Sequence, residues 1–160
     1  MAYKENIEDV VRQFADGMYR LAMHHCDPVQ AQDIVQEAFM RLMNTHRTFQ
    51  NSEHLKAWLY RVVLNLCTDY HRHWWQKMRS EYPTVEPAFQ DPSLLDSAQM
   101  DLLAKIRKLP AREASAIYLH YYENLPAREI AKILKCREGT VYSLLSRGRT
   151  HLKTILEAET

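Results

Sequence analysis

Residues 126–153, PAREIAKILKCREGTVYSLLSRGRTHLK, have the layout of a helix-turn-helix: a short helix, a three-residue turn, then a longer helix. Ile130, Ala131 and Leu134 are expected to face inward, with the small Ala131 letting the helices cross closely. Val141, Leu145, Gly148 and Leu152, spaced four, three and four, would seat the longer helix on the core. That register leaves Thr140, Ser143 and Arg147 exposed, where short polar side chains and a guanidinium can reach base edges in a major groove. Arg137, Arg149 and Lys153 flank them as candidate phosphate contacts. A plain helical hairpin with solvated basic residues is the bland alternative. The turn and the charge placement together favour a DNA-binding module.

Working outward, the remainder also reads as helix. The 160-residue chain is 46% apolar and 26% charged, has only three glycines, and shows no sustained strand-like alternation. The expected fold class is therefore all-α: two small helical domains joined by a linker, the C-terminal one a helix-turn-helix. The formal net charge of +1 hides an uneven distribution. Residues 81–101 carry no Lys or Arg against five acids, whereas residues 102–160 carry eleven against six, a net of +5. A basic module on an acidic tether fits a nucleic-acid partner. Cys26, Cys67 and Cys136 are odd in number, widely spaced and without a CxxC pair, which reads as reduced thiols in a cytoplasmic protein. The start, MAYKENIEDV, lacks a signal-peptide signature, and no segment has the apolar length for membrane insertion.

Three further amphipathic segments precede the tether. Ile7, Val10, Val11, Phe14, Met18, Leu21 and Ala22 form one stripe, ending near His25. Asp27 and Pro28 look like a helix start, with Ile34, Val35, Ala38, Phe39, Leu42 and Met43 buried and Asp33, Gln36, Glu37 and Arg41 opposite. After a polar loop at residues 48–53 comes a helix whose inward residues are Leu55, Trp58, Leu59, Val62, Val63, Leu66, Cys67 and Tyr70. Arg61, Asn65 and Asp69 line its polar side. Residues 80–93 hold three of the six prolines and no basic residue, and mark the expected linker between domains at 1–79 and 94–160. Within the second domain, residues 94–108 read as a helix, and Pro110 opens another with Ala114, Ile117, Tyr118 and Tyr121 inward.

The ordered motifs DIVQEAFMRL (residues 33–42), AWLYRVVLNLCTDYHR (57–72), LPAREASAIYLHYYENLPAREIA and GTVYSLLSRGRTHL resemble the extracytoplasmic-function sigma factors over residues 5–155. The resemblance implies a non-enzymatic subunit that binds core RNA polymerase and directs promoter-specific initiation, with no cofactor, no metal and no catalytic residue. It implies that Asp33, Gln36 and Glu37 meet the beta-prime clamp helices of the polymerase. By position, the resemblance further implies that Arg61, Asn65 and Arg72 contact the minus-ten element and that the 48–53 loop holds a base turned out of the stack. Trp74 and Trp75 either stack on single-stranded bases or close the domain core. Thr140, Ser143 and Arg147, with Arg137, Arg149 and Lys153, would read the minus-thirty-five element. Promoter DNA and an anti-sigma factor are the further partners implied. The chain departs from the family's common pattern at Lys135, where glycine is usual, at Arg137, where serine is, and at Tyr142 and Leu144, where basic residues are. A left-handed Lys135 would cost about 1 kcal/mol.

Two rival classes remain. A stand-alone helix-turn-helix regulator would need no polymerase-binding face at residues 33–37. An enzyme or metal protein is suggested by eight histidines and three cysteines, but no HExxH, paired CxxC or triad accompanies them. His24, His25 and Cys26 cannot easily converge on one metal from a helix whose neighbouring residues point about 100° apart.

Overall fold

In the computed structural model, which describes residues 6–77 and 97–159, every regular element is helical, as expected for an all-α chain. The proline-rich stretch read as a linker, residues 80–93, lies outside the described residues. Two compact units emerge, residues 1–90 and 91–160.

The first unit packs α1 (Ile7–Ala22), α2 (Pro28–Asn44) and α3 (Ser52–Lys77) against one another in all three pairings. Local chemistry sets the helix starts. Asn6 accepts from the Glu8 N–H at 3.0 Å, and Asp27 and Gln30 form a capping box, the Gln30 N–H donating to Asp27 Oδ1 at 2.8 Å. Asn51 Oδ1 accepts from the His54 N–H at 2.8 Å in the first turn of α3. Met18, Leu21, Ile34, Val35, Leu59, Tyr60 and Val63 are sealed from solvent, and each large apolar side chain so buried contributes about 1.5–3 kcal/mol.

Met43 departs from its expected place, because it is 60% exposed rather than buried, while Leu42 is half-buried. Measured at about 100° per residue, position 43 lies at the rim of the stripe centred on Ile34, Ala38 and Leu42. It also lies in the last turn of α2.

The second unit comprises α4 (Ser97–Ile106), α5 (Ala111–Tyr121), α6 (Ala127–Leu134) and α7 (Glu138–Ala158). Helix α7 packs on α4, α5 and α6, so it is the member through which the unit is held together. Leu103, Ile106, Ile117, Tyr118, Leu119, Ile130, Ile133, Val141 and Leu145 make its core. At the far end, Lys105 of α4 and Lys108 just beyond it reach Glu159 at 2.9 and 3.6 Å. The hydrogen bond to Glu159 raises the Lys105 pKa above its ordinary value, and the bond to Lys105 lowers that of Glu159. Tyr121, expected inward, is 50% exposed. It has the right angular position, but it is the last residue of α5.

Candidate nucleic-acid interface

The turn between α6 and α7 is three residues long, 135–137, as its sequence predicts. Lys135 adopts the left-handed conformation, φ 55° and ψ 52°. A lysine there costs about 1 kcal/mol, and nearby hydrogen bonds offset it. The Cys136 N–H returns to the Ala131 carbonyl at 3.0 Å, and Arg112 of α5 donates to the Leu134 carbonyl at 3.2 Å, satisfying an acceptor that the helix end leaves open. Arg137 is the N-cap of α7; its carbonyl accepts from Thr140 and Val141 while its side chain is exposed.

Val141, Leu144, Leu145 and Gly148 form the buried face of α7, and Leu152 is half-buried. Leu144 joins this face although it falls outside the spacing of Val141, Leu145, Gly148 and Leu152. At Gly148 a Cβ would sit 2.9 Å from Ile117 Cγ1, so the glycine is what lets α7 lie close on α5. One turn further, His151 Nδ1 lies 2.6 Å from Oε2 of the buried Glu113, giving that buried polar group a hydrogen-bond partner.

All six polar residues singled out here, Arg137, Thr140, Ser143, Arg147, Arg149 and Lys153, are exposed. They do not form one cluster. Thr140, Ser143 and Arg147 share an arc of about 60°, whereas Arg149 stands about 160° round the helix from Arg147. Arg149 and Lys153 instead share the other flank with Tyr142, which is 59% exposed and was not among the candidates. Its spacing of seven from Arg149 was the available signal. Arg147 folds back toward the Ser143 carbonyl at 3.4 Å, and Lys153 meets Glu157 at 3.9 Å. Arg149 donates to the Tyr121 hydroxyl at 2.6 Å.

In the first unit, Asp33, Gln36 and Glu37 are exposed together on α2, opposite Ile34, Val35 and Ala38. Arg41 donates to Glu37 at 3.5 Å, an exposed pair of small energetic weight. The exposed Met40, 52% accessible, extends this surface with apolar area that the sequence reading did not include.

Helix α3 is more nearly sealed. From Leu59 to Cys67, Arg61 alone is exposed and Asn65 is half-buried, since Tyr60 and Leu64 are buried along with the expected apolar residues. Arg72, Trp74 and Trp75 fall within α3, but their side chains lie outside the described ones. The loop before α3 is pinned from within: Phe49 is buried and meets Trp58 and His54 edge-on, with centroids 5.5 and 5.6 Å away. The Gln50 N–H donates to His54 Nδ1 at 3.2 Å.

The three cysteines are free thiols, and no three His, Cys, Asp or Glu among the described residues converge on a metal position. Cys26 donates to the Ala22 carbonyl at 3.2 Å and touches the Cys67 thiol; that contact, and then burial, raises the Cys26 pKa above its ordinary value. None of the described helices is long and apolar enough to cross a membrane.

Residues 10–76 match the family model described as Sigma-70 region 2, and residues 99–152 match that described as Sigma-70, region 4. The chain is 32% identical over 165 residues to an RNA polymerase sigma-E factor of Streptomyces avermitilis, covering 99% of this chain and 90% of that protein. It is 30% identical over 161 residues to the ECF RNA polymerase sigma factor SigE of Mycolicibacterium smegmatis, covering 93% of this chain but only 61% of that protein's length. In fold, it is similar to the sigma factor RpoE of Bartonella quintana, solved in complex with the anti-sigma factor NepR. The TM-score is 0.71 at 22% identity, covering 96% of this chain and 98% of that one.

Proposed function

The chain belongs to the extracytoplasmic-function group of the sigma-70 family, and from that membership we propose how its two units divide the work of a sigma factor. Association with RNA polymerase and promoter-directed transcription initiation follow from the family. The finer assignment is ours. Asp33, Gln36 and Glu37 bind the beta-prime clamp helices, where an acidic and amide surface on a rigid helix complements basic residues and steers association. Arg61 and Asn65, with Arg72, Trp74 and Trp75, engage the minus-ten element, and the 48–53 loop receives a flipped base. Capture of that base offsets an unstacking cost of a few kcal/mol, so promoter opening needs no nucleotide hydrolysis. Thr140, Ser143 and Arg147 read the minus-thirty-five element, with Arg137, Arg149 and Lys153 on phosphates.

The observation that carries this assignment is the exposure pattern. The polar faces of α2 and α7 stand clear of sealed cores, and the middle of α3 lets only Arg61 and Asn65 through. An anti-sigma factor is part of the proposal as well, since the similarly folded RpoE was solved with one bound.

Transcription with purified core polymerase on a promoter library is the direct test, with permanganate reactivity reporting opening. Asn65→Ala and Arg61→Ala should impair opening more than core binding, and charge reversal at Asp33 and Glu37 should do the opposite. Tight promoter binding without polymerase, with no effect on start-site choice when polymerase is added, would instead identify a stand-alone regulator.

A further inference from the structure

Tyr121 is one of the residues whose place the apolar pattern does not foresee. Its ring is half-exposed at the end of α5, and its hydroxyl accepts from Arg149 Nη1 of α7 at 2.6 Å. His120 meets the ring edge-on: the two ring centroids are 4.7 Å apart at an interplanar angle of 82°. His120 is itself placed by a 3.3 Å contact between Nδ1 and the Leu125 carbonyl. The guanidinium of Arg149 is thus held by a hydroxyl on a neighbouring helix.

A phenol that accepts from a guanidinium still has its own O–H to donate, and Arg149 keeps further N–H donors beyond the one it uses. The guanidinium then offers charged donors beside a neutral phenol, with no ionised acceptor to repel an anion. This is the donor set that a phosphodiester oxygen recognises. Arg149 shares its flank of α7 with Lys153, and its side chain is exposed.

We infer that Tyr121 is a positioning residue that holds Arg149 for a backbone phosphate of the minus-thirty-five DNA, the two acting as one unit. The inference rests on the assignment of α7 as the DNA-reading helix. Holding the guanidinium before DNA arrives reduces the ordering cost of binding, because the long arginine side chain no longer has to be fixed on contact. The unit carries no base information. It should therefore contribute equally on every promoter.

The experiment is a double-mutant cycle with polymerase holoenzyme on promoters varied through the minus-thirty-five element, the minus-ten element held fixed, at several salt concentrations. Removing one oxygen from a half-exposed ring leaves the core intact, so Tyr121→Phe is a fair probe. It should weaken all promoters alike by about two- to tenfold. Arg149→Ala should weaken them alike too and lower the salt slope by about one. With Arg149→Ala already present, adding Tyr121→Phe should cost less than about twofold.

A full loss from Tyr121→Phe in the Arg149→Ala background would show the two acting separately and overturn the inference. So would normal affinity of Tyr121→Phe alone, or a change in base preference. If Arg149→Ala itself binds normally with an unchanged slope, the phosphate role of Arg149 fails and the unit fails with it. That result is distinct from one in which Arg149 matters and Tyr121 does not.

Discussion

Gly148 and Gly139 sit nine residues apart on α7, and a methyl group has opposite consequences at the two. At Gly148 the new Cβ would meet Ile117 Cγ1 at 2.9 Å, and Ile117 is buried and branched, so it has little room to yield. Gly148→Ala should destabilise the second unit by about 1–3 kcal/mol. At Gly139 nothing lies within 4 Å, so Gly139→Ala should add about 0.5–1 kcal/mol through helix propensity. Urea unfolding of the full chain, followed by hydrogen exchange in α7, separates the two. Arg147 and Lys153 should also diverge, although both are exposed and basic. Loss of a bidentate base contact in Arg147→Ala costs about 1–3 kcal/mol and relaxes preference at one base pair. Lys153→Ala should weaken every sequence alike. Equal weakening of all promoters by Arg147→Ala would mean that the reading face is rotated toward Ser146.

At the scale of the element, helical periodicity was sufficient to orient most faces, because each helix packs one stripe against its neighbours for most of its length. The start of α2, the three-residue turn and the inward seating of Val141, Leu145 and Gly148 were all legible on those grounds. Periodicity failed where a helix outlasts its packing partners or is covered on more than one side. Met43 and Tyr121 lie at helix ends and are exposed, whereas Tyr60, Leu64 and Leu144 are covered off the expected stripe. The hydroxyl bond that gives Tyr121 its place joins residues 28 apart, a pairing no local pattern encodes. The clasp between α4 and the end of α7 is likewise non-local, and it sets a pH dependence. The lowered Glu159 pKa contributes stability that is present above the ordinary carboxylate range and lost as pH falls through the folded value. The raised Lys105 pKa contributes stability that is present below the ordinary lysine range and lost as pH rises through the folded value. The difference in melting temperature between the native chain and Lys105→Met should therefore be widest between those limits and narrow beyond each.

Over the whole molecule, a formal charge near zero conceals a strongly basic segment, the eleven cations and six acids of residues 102–160. Long-range attraction to DNA should accordingly be concentrated in that segment and screened by salt. Replacing Arg137, Arg149 and Lys153 together should reduce the slope of log affinity against log salt by about three, one for each phosphate neutralised. A smaller loss, measured with holoenzyme on a fixed promoter, would show that fewer of the three touch the backbone. The sealed middle of α3 carries a different consequence, one for the divergence of such proteins. Seven of the nine side chains from Leu59 to Cys67 are committed to packing, so this stretch has two positions at which a substitution can alter recognition without unfolding the unit. The exposed arc of α7, with Thr140, Tyr142, Ser143, Ser146, Arg147 and Thr150, offers three times as many. New promoter preferences should arise more readily by changes in the C-terminal unit, and a saturation library scored for altered specificity should return its viable variants mostly from α7, with those from the middle of α3 confined to Arg61 and Asn65.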